Sequence, residues 1–137
     1  MPAILEIRDV KAEGGLAFGI RELLDLVPAE GQDLWWSIFP VYGEIDIVHH
    51  SERQYRTVKG LQSPAIVTWE DMSCFANTVS QTIWGTYIGC RDAAAFADLT
   101  ALHGGKWLYL HQATPAYYEA IDIAFQAVDG GFWFVYA

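Results

Sequence analysis

The chain has 137 residues, 53% hydrophobic and 15% aromatic, which is ample apolar material for one folded domain and excludes disorder. Eight basic against 17 acidic side chains give a net charge of −9. That charge repels nucleic acids and anionic membrane surfaces and attracts basic proteins.

Residues 3–10, AILEIRDV, read as an opening strand in which Glu6, Ile7 and Arg8 alternate polar and apolar. No basic residues precede the first apolar run, and Glu6, Arg8 and Asp9 break it, so no signal peptide is expected. No stretch approaches the roughly 20 apolar residues of a membrane helix. A soluble, cytoplasmic protein is the expectation. Ala17, Ile20, Leu23, Leu24 and Val27 have helical spacing, and Pro28 stops that helix.

Residues 33–39, DLWWSIF, read as a strand ending at Pro40. Side chains alternate across a strand, so of the neighbours Trp35 and Trp36 one faces the core and only the other can be exposed. From Glu44 to Val48 the alternation is strict: Ile45 and Ile47 face one way, Glu44 and Asp46 the other. Between Arg21 and Arg53 there is no lysine or arginine, while seven carboxylates stand there with both tryptophans, Phe39 and Tyr42. Acid mixed with aromatic suits a surface that meets a basic partner.

Residues 51–59 have two readings. Ser51 with Gln54 resembles a capping box and Gly60 a helix end, yet QYRTV also suits a strand. Arg53, Arg56 and Lys59 form the chain's one basic cluster. Thr68 then caps the best helix signal, with Glu70 and Asp71 in its first turn. Trp69, Met72, Phe75, Ala76, Val79 and Ile83 share its apolar face, and Gly85 ends it. Residues 86–90 read as a short strand. Residues 92–102 read as a helix capped by Asp92, and residues 106–112 as a strand.

The tail EAIDIAFQAV reads as a strand with Ile121, Ile123, Phe125 and Ala127 on one face. Asp129-Gly130-Gly131 supplies a hairpin turn, and FWFVYA returns. Both faces of that last run are apolar, so it must be covered on both sides or lie against a partner. Together these elements predict a single α+β domain over residues 1–137, with a mainly antiparallel sheet, two or three helices and a C-terminal β-hairpin. Regular βαβ units and a glycine-rich phosphate loop are missing, which argues against a dinucleotide-binding fold.

Signatures of chemistry are weak. His49, His50, His103 and His111 have no metal-ligand spacing, and no metal or cofactor is expected. Cys74 and Cys90 lack a C-x-x-C partner and read as free, buried, inert thiols; Arg91 could lower the Cys90 pKa, but an apolar side chain closing a strand weighs more. Ser51 beside His50 makes no triad, and no G-x-S-x-G occurs. Glu119 with Asp122, or Asp122 with Asp129, could serve acid–base work, but among 17 acids such pairs arise by chance. No catalytic residue is assigned.

The leading expectation is therefore a non-enzymatic protein-binding protein, of the immunity type that covers the active site of a basic toxin or nuclease. Asp33, Glu44 and Asp46 are its expected steering charges, and Trp35 or Trp36 its anchor. The alternatives are a homodimer built through the C-terminal hairpin and a domain that holds a small molecule in an aromatic pocket.

Overall fold

Antiparallel pairing sets the frame. The computed structural model describes residues 4–8, 19–39, 41, 45–49, 66–103, 110, 113–129 and 131–137. Its strands are β1 (Ile4–Ile7), β2 (Trp35–Phe39), β3 (Asp46–His49), β4 (Val79–Cys90), β5 (Ile123–Val128) and β6 (Phe132–Tyr136). Five of them lie in the order β1-β6-β5-β4-β2, and β3 also pairs with β4; every pair is antiparallel. β2 runs along the C-terminal half of β4 and β3 along its N-terminal half.

Helices cover both faces of this sheet. Ile20, Leu23 and Leu24 of α1 (Ile20–Asp25) and Met72 and Ala76 of α2 (Trp69–Thr78) pack with Trp36, Tyr87, Phe125 and Trp133 in one core. Phe96 and Leu99 of α3 (Ala95–His103) and Tyr117 of α4 (Pro115–Ala120) pack with Phe39, Ile88, Ala124 and Phe134 in the other. The molecule is thus a single α+β domain with a mainly antiparallel sheet and a C-terminal hairpin, β5-β6, as the sequence predicts. Among the described residues it has four helices, one or two more than expected, and two of these have only six residues.

β6 is paired on both edges and buries Trp133 in one core and Phe134 in the other. Its doubly apolar sequence is therefore satisfied within the chain. The turn before it places Asp129 at φ 53, in the left-handed region that short polar side chains tolerate, and the Gly131 N–H donates to the Val128 carbonyl at 3.0 Å.

The largest correction concerns residues 79–85. Thr68 caps α2 as expected, its side chain accepting from the Asp71 N–H, but the helix stops at Thr78 and the chain enters β4 at Val79. Val79 and Ile83 therefore lie in a strand and not on the helix face. The run Thr78-Val79-Ser80-Gln81-Thr82-Ile83 is rich in β-branched residues, whose stiff side chains suit a strand better than a helix. Pairing with β3 then decides the matter, because backbone groups that a helix would have bonded locally find partners across the sheet. The register slips between Asp46 and Ile47 and again between Val48 and His49. Thr82 and Tyr87, five apart and on opposite faces of a regular strand, share a buried hydrogen bond of 2.7 Å on this irregular one.

Other boundaries move less. The helix expected over 17–27 is Ile20–Asp25 among the described residues, followed by a 3-10 turn at Ala29–Asp33, so β2 starts at Trp35. Ile45 and Ile47 both enter the core, as the alternation predicts. Ile121 does not join the face of Ile123, Phe125 and Ala127; it follows α4 directly and packs in the opposite core. α4 has no counterpart among the expected elements, although Thr114 followed by Pro115 is a helix-start signal: the Thr114 side chain accepts from the Tyr117 N–H, and proline sits at the first turn. The two readings of 51–59 lie outside the described residues, as does the strand expected over 106–112 apart from the buried Leu110.

Candidate functional site

β2 separates the two tryptophans as a strand must. Trp36 is fully buried, stacked on Phe125 at 6.4 Å and 5°, and tilted against Trp69 at 5.7 Å. Gly89 lies across the ladder from it, and a Cβ there would come within 3.0 Å of the indole, so the absent side chain makes room for the ring. Trp36 Nε1 is buried without a hydrogen-bond partner among the described residues. As an anchor for a partner Trp36 is therefore corrected: its ring has no free surface. Trp35 points to the other face and is 40% exposed. Ile66, 46% exposed, joins it from the segment that bridges to β2 through Val67 and Trp36. That bridge makes Ile66 and Trp35 diagonal neighbours on one face, about 7–8 Å apart.

The acidic segment divides by what each carboxylate does. Glu22 accepts the Gly19 N–H at 3.0 Å and so serves the start of α1. Asp25 is paired with Arg21 at 2.8 Å, one helical turn away. Glu30 and Asp33 are exposed on the 3-10 turn and make no ion pair among the described residues. Glu44 lies outside the described residues, and Asp46 is placed by its backbone in β3, opposite Trp84. Of the five expected binding residues, Asp33 and Trp35 are exposed, two positions apart in the chain, and Trp36 is buried.

A second acidic group lies at the same end of the sheet, and the sequence pattern did not reveal it. The Asp122 carboxylate accepts the Arg91 backbone N–H at 2.8 Å and stands 3.8 Å from the Arg91 guanidinium. Asp92 accepts the Ala94 N–H at 2.9 Å. Between them Cys90 is fully buried. Burial pushes its thiol up from an ordinary 9.0 to about 12, and the Asp122 and Asp92 charges add to that. Arg91 does not activate this thiol, because its side chain is 86% exposed and turned towards Asp122. Cys74 is corrected in the other direction: it is a free thiol, as expected, but exposed on α2 and not buried.

The remaining chemical candidates are dispersed. Asp122 precedes β5 and Asp129 follows it, so about 20 Å of strand separates them and they cannot share a proton. Glu119 lines, with Asp98, an open groove of about 470 Å³ between α3 and α4, floored by Ala101, Ala116 and Ala120. Among the described residues no three His, Cys, Asp or Glu side chains cluster as metal ligands would, and no helix is long and apolar enough to cross a membrane. His50 and Ser51 lie outside the described residues. Comparison with family models, curated proteins and solved structures finds no match to this chain.

Proposed function

We propose that the protein is a non-enzymatic binding protein that engages a basic protein, in the manner of an immunity protein that blocks a toxin or nuclease. One observation supports the reading: an exposed indole, Trp35, stands two residues from the Asp33 carboxylate, which makes no ion pair among the described residues, with Glu30 on the same turn. A half-exposed tryptophan offers large contact area at small entropic cost, as interface anchors do. Unpaired carboxylates around it, on a chain of net charge −9, speed the approach of a basic partner. Glu44 and Asp46 remain in the proposal as further steering charges.

The test first asks whether a basic toxin or nuclease is encoded beside this chain, and then measures association kinetics against a basic protein that binds it. Replacing Glu30 and Asp33 together by lysine should slow association roughly tenfold at low salt. The difference should nearly vanish at 1 M salt, where the Debye length is about 3 Å. Trp35→Ala should act on the other rate and speed dissociation by about 10- to 100-fold. Association that ignores salt, with dissociation unmoved by Trp35→Ala, would refute the reading.

A further inference from the structure

We draw no further inference here: the strongest candidate, the open groove of about 470 Å³ between α3 and α4 lined by Asp98, Ala101, Ala116, Glu119 and Ala120, carries nothing because it is a stripe of small residues with two acids, and nothing else among the described residues points to what would fill it.

Discussion

Adjacent tryptophans with opposite surroundings allow a sharp prediction. Trp36 is fully enclosed by Phe125, Trp69 and the bare backbone of Gly89. Trp36→Ala removes the ring from a core that helix and sheet hold in place, so the cavity collapses only in part, and the loss should be about 3–5 kcal/mol. With a slope near 2 kcal/mol per molar urea, a loss of about 4 kcal/mol lowers the unfolding midpoint by roughly 2 M. Trp36→Phe separates two contributions. It loses part of the ring packing but also deletes a buried N–H that has no partner among the described residues, whose desolvation costs about 1–3 kcal/mol. The two oppose each other, and Trp36→Phe should lie within about 1 kcal/mol of the parent. Trp35→Ala, at a position 40% exposed, should cost at most about half as much as Trp36→Ala. Urea melts of the three variants measure this. If Trp36→Ala costs no more than Trp35→Ala, the assignment of faces on β2 is wrong, and with it the anchor role of Trp35.

The remaining predictions concern thiols, alkali and one glycine. Iodoacetamide at neutral pH should label Cys74 and spare Cys90 until the protein unfolds, read by mass spectrometry of digests. The Cys90 thiol ionises at 9.0 when free and at about 12 when buried, so the folded chain holds its proton longer and loses stability as pH rises from 9 towards 12. Cys90→Ala should flatten part of that alkaline decline in melts taken across the window; the rest belongs to Tyr87 and Tyr117, whose phenols burial also raises. Gly89→Ala drives a methyl group to 3.0 Å from Leu34 and from Trp36 and should cost about 1–3 kcal/mol, shown as a lower urea midpoint with unchanged slope.

Local pattern was enough for much of this molecule. Thr68 and its acidic first turn marked the start of α2, and the alternation at Ile45 and Ile47 marked a buried strand face. The doubly apolar FWFVYA run called for a strand covered on both sides or laid against a partner, and the two cores cover it on both sides. The rule that neighbours on a strand face apart foretold that one of Trp35 and Trp36 would be buried, but the sequence does not say which, because that depends on which face α2 covers. The same limit hid the end of α2. Val79 and Ile83 continue a helical stripe in one dimension, and only pairing with β3 turns them into strand.

For the candidate surface, the sequence supplied the acidic run and the tryptophan pair, both contiguous features. It could not supply the contact of Asp122 with Arg91, which stand 31 residues apart and meet only once β4 and β5 have paired. Nor could it show that Asp25 is spent on Arg21 while Asp33 is not, since exposure and pairing arise only once the elements dock. Composition and periodicity act between near neighbours and so set the α+β class and the core-facing residues. Which charges remain unpaired, and which ring stays open to a partner, is decided by strand order, a long-range choice with no local signature.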